Sequence, residues 1–176
     1  MKYYYKDFMT PLGEMRAVAT EEAIVLLSFK DAKDYETALQ KLTQRGRLVR
    51  VSISALIDQV IYELTAYLHG AYHSFTTPLQ LDSGTPFQQS VWQALRELNV
   101  GQTVNYSDIA QKIGRPKSTR AVATAIGQNP ISIIIPCHRV LRKDGGLGGF
   151  NSGLHRKIQL LEHEQRMIST AKNFCK

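Results

Sequence analysis

Apolar positions recur with two different periods along this chain of 176 residues, and the change of period divides it. β-rich runs at residues 3–8, 15–20 and 24–29 are separated by Pro11-Leu12-Gly13 and by Glu21-Glu22, the punctuation of strands joined by turns. Residues 34–44 predict a helix and 48–53 a further strand. Leu56, Ile57, Val60, Ile61, Leu64 and Leu68 then follow helical spacing up to a stop at Gly70. After a linker over 76–84, the capping-box pattern Thr85-Pro86-Phe87-Gln88 opens a helix striped by Phe87, Val91, Leu95 and Leu98, which Gly101 ends. Ser107 is expected to cap a short helix carrying Ile109, Ala110 and Ile113, stopped by Gly114. Ser118 is expected to cap a second helix through Ala121, Val122, Ala125 and Ile126 to Gly127. Two short helices joined by a glycine-containing turn make a helix-turn-helix candidate, although any helical hairpin shares that pattern. An apolar strand-like run at 131–135, a loop with Gly145, Gly146, Gly148, Gly149 and Gly153, and a final helix striped by Leu154, Ile158 and Leu161 complete a winged-helix outline. The fold class expected is a small α/β domain over 1–82, followed by a mainly α winged helix-turn-helix domain over 83–176.

Composition adds one discriminating fact. Residues 1–82 carry nine Lys and Arg against ten Asp and Glu, whereas 83–176 carry thirteen against five, so the excess positive charge lies in the second half. A basic half beside a neutral one points to a polyanion, nucleic acid being the commonest, with a generic solvated basic surface as the bland alternative. No apolar run approaches the roughly 20 residues of a membrane span. The opening Met1-Lys2-Tyr3-Tyr4-Tyr5 lacks the apolar core of a signal peptide, so a soluble, cytoplasmic protein is expected, nuclear in a eukaryote. No membrane partner is expected, and a monomer is assumed.

The two cysteines, Cys137 and Cys175, are placed unfavourably for a structural disulfide. No clustered set of ligands suggests zinc; His69 and His73, flanking a helix end without a third ligand, read as surface residues. Cys137 is the candidate nucleophile. It follows an apolar segment and a proline and precedes His138 and Arg139, where positive charge and a proton acceptor favour the reactive thiolate. A buried cysteine acting only as a small hydrophobe is the alternative, and adjacency in sequence does not by itself bring two side chains together.

Pro136-Cys137-His138-Arg139-Val140 resembles the active-site signature of the O6-alkylguanine-DNA alkyltransferases, or methylated-DNA–protein-cysteine methyltransferases. Thr85-Pro86-Phe87-Gln88 with Val91-Trp92 is similar to that family's opening helix, and Tyr106, Ile109-Ala110 and Arg120-Ala121-Val122 to its helix-turn-helix. Asn129-Pro130, Gly145, Gly148, Lys157, Leu160-Leu161 and Glu164 follow in the family's order. The resemblance covers residues 85 to 165; the first half matches loosely, as a ribonuclease H-like sheet with helices.

The resemblance implies a set of roles. Cys137 attacks the alkyl carbon of O6-alkylguanine, and of O4-alkylthymine, in double-stranded DNA, once and irreversibly. His138 deprotonates it through a water, Glu164 orients and charge-balances the histidine, and Asn129 braces the turn. Tyr106 donates a hydrogen bond to the base and helps rotate it outward, while Arg120 fills the space left behind. Ser118, Thr119, Ala121, Arg139 and Lys157 complete the implied substrate and DNA contacts. No cofactor or metal is implied, and the first half contains no cysteine from which the zinc site of some relatives could be built. Phe150 stands where many relatives carry tyrosine, and Ser132 where some carry proline, which bears on substrate range. A non-catalytic lesion sensor is opposed by Cys137; a winged-helix transcription factor leaves Cys137, His138 and Glu164 unexplained; a thiol hydrolase has no use for Tyr106 and Arg120.

Overall fold

Strands β1 (Lys2–Thr10), β2 (Gly13–Ala19) and β3 (Ile24–Phe29) form an antiparallel meander; β4 (Arg47–Arg50) joins β1 in parallel, giving the order β3-β2-β1-β4. The structure is a computed structural model and describes residues 1–71 and 74–174. His73 and Cys175 lie outside the described residues. Contacts divide the chain into two units: Met1–Ser83 with Pro130–Ile134, and Gly84–Asn129 with Ile135–Lys176. No helix among the described residues is long and apolar enough to cross a membrane.

The parallel β1–β4 pair requires a crossover, which helix α1 (Tyr35–Thr43) supplies. Tyr3, Val18, Val25, Leu26 and Leu42 form one apolar cluster, against which Tyr5, Ala38, Leu39 and Leu48 pack. Helix α2 (Ala55–Leu68) starts at Ser54 and ends in a Schellman motif at Gly70, φ 78°. There Gly70 N–H donates to Tyr67 O and Ala71 N–H to Ala66 O. His69 is exposed at that end, its Nδ1 2.8 Å from Thr65 O. β4 is shorter than the run expected at 48–53: the ladder ends at Arg50, and the last bond to β1 is from Val51 N–H to Tyr5 O (3.0 Å).

The run at 131–135 is not a strand, and Pro130–Ile134 belongs to the first unit. Leu27 N–H donates to Pro130 O (2.9 Å) and Ser132 N–H to Leu27 O (2.8 Å). The chain then turns: Ile134 N–H donates to Ser132 O (2.9 Å) across Ile133, whose φ is 72°. A β-branched residue at positive φ is strained, and here burial holds it in place. Proline at position 132 would delete the bond to Leu27.

In the second unit α3 (Pro86–Arg96) opens on the expected capping box, with Gln88 N–H donating to Thr85 Oγ1 (3.2 Å) and Thr85 N–H to Gln88 Oε1 (2.8 Å). Trp92 Nε1 donates to Ala125 O (2.8 Å), joining α3 to α5 (Thr119–Gly127). The first helix of the helix-turn-helix pair, α4 (Tyr106–Lys112), is capped by Asn105 and not by Ser107. Asn105 Oδ1 accepts from Ser107 N–H and Asp108 N–H, and Asp108 returns a carboxylate to Asn105 N–H (2.8 Å). The sequence reading placed this start two residues late, because Ser107 is itself a good cap. Gly114, φ 70°, closes α4 in a second Schellman motif, with Arg115 N–H donating to Ala110 O (2.8 Å). Ser118 takes the N-cap position of α5 but makes no side-chain cap bond.

The wing carries less regular structure than expected. Its strands are two-residue segments, β5 (Val104–Asn105) and β6 (Val140–Leu141), paired in parallel, and the glycine-rich loop after them contains no strand. The face of the last helix, α6 (Leu154–Phe174), also differs. Leu154 and Ile158 are exposed, while Arg156, Lys157, Leu160 and Glu164 are buried. Asn105→Ala should lower stability by about 1 kcal/mol, the usual cost of a lost cap, whereas Asn105→Ser should retain most of it. The midpoint of urea unfolding measures both.

Candidate active site

Pro136 sets up the nucleophile. Its φ of −80° and ψ of 65° make an inverse γ-turn in which Cys137 N–H donates to Ile135 O over 2.8 Å. The pyrrolidine ring holds that φ without further support. Arg139 N–H then donates to Pro136 O (3.0 Å), winding Cys137–Arg139 into one 3₁₀ turn. Cys137 is half-buried and outside any disulfide. Asn129 braces this turn from both ends: Nδ2 donates to Ile135 O (2.8 Å) and to Cys137 Sγ (3.2 Å).

His138 is fully buried, with Nε2 2.7 Å from Glu164 Oε1. Glu164 also accepts from Arg139 Nη2 (2.7 Å), from Arg139 Nε (3.0 and 3.1 Å) and from Gly101 N–H (2.9 Å). Burial alone would raise the Glu164 carboxyl, but hydrogen bonds and charges from His138 and Arg139 more than offset it and hold the group well below the carboxylate range. Burial likewise lowers His138 below its ordinary value, outweighing the pull of Glu164. Arg139 already balances the carboxylate, so the imidazole is neutral near pH 7. It then donates from Nε2 to Glu164, and Nδ1 is left as a bare acceptor. That Nδ1 is buried and has no hydrogen-bond partner among the described residues.

Two residues expected at the DNA do other work. Arg139 is buried, bound to Glu164 and, through Nη1, to Leu98 O (2.6 Å), so it is not available to a phosphate. Lys157 is fully buried and donates to Val140 O (2.7 Å), Leu147 O and Gly149 O (3.2 Å). It pins the glycine-rich loop. Burial lowers its ammonium to about 8, opposed by negative charge on Cys137. Tyr106 is half-buried and raised by burial, a backbone hydrogen bond to Gly149 opposing this and charge on Cys137 adding to it. The sulfur therefore acts electrostatically on both Tyr106 and Lys157. At Gly148, φ 70°, a Cβ would lie 2.5 Å from Tyr106 Oη, so the loop can close over the phenol only as glycine.

Arg120 and Ala121 are exposed on the first turn of α5, and Ser118 and Thr119 are partly exposed beside them. The sequence reading missed a cavity of about 380 Å³ lined by Asn105, Tyr106, Ser107, Thr119, Arg142, Lys143 and Asp144. Tyr106 and Thr119 in its lining are among the residues that the resemblance implies; Arg142 and Lys143 are not. No group of three or more potential metal ligands occurs among the described residues.

Glu164→Gln should cost about 3–5 kcal/mol, because Arg139 would be left buried without its counter-charge; urea unfolding reads this directly. The stability that His138 contributes is present above its unfolded value of 6.5 and is lost as pH falls below it, because the unfolded chain takes up the proton first. The wild-type urea midpoint should therefore fall as pH is lowered below 6.5, and His138→Gln should flatten that slope. An unchanged slope would mean that the folded protein carries a protonated imidazole.

The family model for the 6-O-methylguanine DNA methyltransferase DNA binding domain matches residues 86–166, and that for the ribonuclease-like domain of the same proteins matches 3–81. The methylated-DNA–protein-cysteine methyltransferase of Haemophilus influenzae is 36% identical over 162 residues, covering 92% of this chain and 86% of that protein. The inducible enzyme of the same name from Bacillus subtilis is 49% identical over 113 residues, 64% of this chain and 63% of its own length. The solved structure of Mycobacterium tuberculosis OGT in complex with DNA matches with a TM-score of 0.81 at 33% identity, covering 95% of this chain and 94% of that one. This chain belongs to the 6-O-methylguanine-DNA methyltransferase family.

Proposed function

We propose that the protein repairs DNA by direct, stoichiometric transfer of the alkyl group of O6-alkylguanine to Cys137, and that O4-alkylthymine is a second substrate. The observation that carries this reading is a half-buried Cys137 Sγ held by Asn129 on the same turn as a neutral histidine with a bare Nδ1. The thiol proton passes through a water to His138 Nδ1, and Glu164 accepts from the opposite ring nitrogen. The thiolate attacks the alkyl carbon, forming an S–C bond while the C–O6 bond breaks. The electron pair stays on the departing guanine, where the Tyr106 hydroxyl donates to the base and offsets the developing charge. The product is a thioether, and the residues of the site offer no second nucleophile to cleave it. The protein is consumed.

The reacting carbon is inaccessible in a stacked duplex, so the nucleotide must leave the stack at a cost of about a few kcal/mol. Arg120, exposed at the start of α5, fills the vacated space, and Ser118, Thr119 and Ala121 meet the DNA beside it. Arg142 and Lys143, which line the same cavity as Tyr106 and Thr119, supply backbone phosphate contacts there. Repair of DNA places the protein with the chromosome, in the cytoplasm, or in the nucleus of a eukaryote, and it acts as a monomer.

Mixed with an oligonucleotide bearing O6-methylguanine, each chain should gain one methyl group in place of the thiol hydrogen, read by intact mass. Cys137→Ala should abolish the gain while DNA binding survives; continued turnover, or no mass change, would reject the reading. Arg120→Ala should slow repair of duplex more than transfer from the free alkylated base, and equal slowing would reject its role in base extrusion. Because His138 stays unprotonated below its ordinary 6.5, the single-turnover rate should hold as pH falls through that value and drop only at lower pH.

A further inference from the structure

The first unit is close to neutral, yet its cations are not evenly spread. β4 is the outermost strand of the sheet, and Arg47 and Arg50 stand at its two ends. Arg47 lies beside Lys2 in register and Arg50 beside Tyr5, while Arg45 occupies the turn that leads into the strand. Neighbours in register point the same way, so Lys2 and Arg47 share one side of the edge and Arg50 projects to the other. The turn is held tightly: Arg47 N–H donates to Met1 O (2.9 Å), and a Cβ at Gly46 would lie 2.4 Å from that oxygen.

All four cations are exposed, and none has an ion-pair partner among the described residues. The other cations of this sheet behave differently. Lys6 binds Asp58, Arg16 binds Asp7, and Lys30 binds Asp7 and Glu14. Asp82 shares a cavity of about 280 Å³ with Arg45 but accepts a hydrogen bond from Gln80 instead. At roughly 3.3 Å per residue, Arg47 and Arg50 are about 10 Å apart along the strand. That is about three phosphate-to-phosphate steps on one strand of a duplex, at about 3.4 Å of helix axis per phosphate.

We propose that Lys2, Arg45, Arg47 and Arg50, reaching past the sheet edge from its two sides, form a second, sequence-independent contact with the DNA phosphate backbone, made by the amino-terminal unit. The inference rests on the reading of the protein as a DNA repair protein, since DNA is the polyanion that reading supplies. Cations along an edge strand are also a common guard against edge-to-edge pairing. That role needs positive charge but predicts no effect on DNA affinity, so the two can be separated.

The test compares wild type with a Lys2→Gln, Arg47→Gln, Arg50→Gln variant of the full chain, binding an undamaged duplex of about 30 base pairs across a range of salt. Each lost phosphate contact removes about 0.9 from the slope of log affinity against log salt, so the slope should fall by about 2 to 3. Arg47→Lys with Arg50→Lys should retain it. Methyl transfer from the free alkylated base and the urea midpoint should match wild type. An unchanged slope in a variant that still accepts methyl groups overturns this inference alone. A wild-type protein that accepts no methyl group from duplex overturns the repair reading itself.

Discussion

The arrangement of the second unit depends on one buried carboxylate. Glu164 lies on α6 and takes hydrogen bonds from His138 and Arg139 on the 3₁₀ turn and from the Gly101 backbone before β5. Four donor groups converge on two oxygens, so moving any of these segments leaves a buried charge unsatisfied. A buried ion pair of this kind adds little net stability over an apolar packing, because desolvation consumes most of its attraction. Its contribution is positional: it selects the histidine tautomer. With Arg139 neutralising the carboxylate, Glu164 orients the imidazole without protonating it, and the ring keeps a lone pair on Nδ1.

Lys157 does for the loop what Glu164 does for the turn. Three carbonyl oxygens, on Val140, Leu147 and Gly149, meet on one ammonium, which holds an otherwise irregular segment of glycines against Tyr106. The two charged residues lie seven positions apart on α6, on its buried face, so one helix positions both the base and the roof of the site. The helix can bury them because each has a complete set of partners.

This also explains where sequence reasoning succeeded and where it stopped. The strands of the meander, the capping box at Thr85 and the Schellman stop at Gly114 follow local rules, and their residues announce them. Cys137, His138, Asn129 and Glu164 were found through the family pattern; in the structure Asn129 donates to Cys137 Sγ and His138 lies against Glu164. Arg139 and Lys157 carry the same charges as DNA-binding residues, and nothing local distinguishes a cation facing a phosphate from one facing buried oxygens. The face of α6 was misplaced for the same reason: Leu154 and Ile158 match an apolar stripe, while the residues that are buried include an arginine, a lysine and a glutamate. The turn at 131–134 was read as a strand because four of the five residues at 131–135 are isoleucine, and the positive φ of Ile133 is set by packing and not by its side chain.

The same geometry accounts for a reaction that runs in one direction. Asn129 donates to Sγ, and the Lys157 ammonium interacts with charge there; both favour sulfur as an anion. Alkylation removes that charge. The thioether carries no charge and accepts only a weak hydrogen bond. The interactions that make the thiolate reactive therefore have nothing to act on afterwards, and no residue of the site can return the alkyl group to an oxygen. A site so arranged delivers its reactivity once.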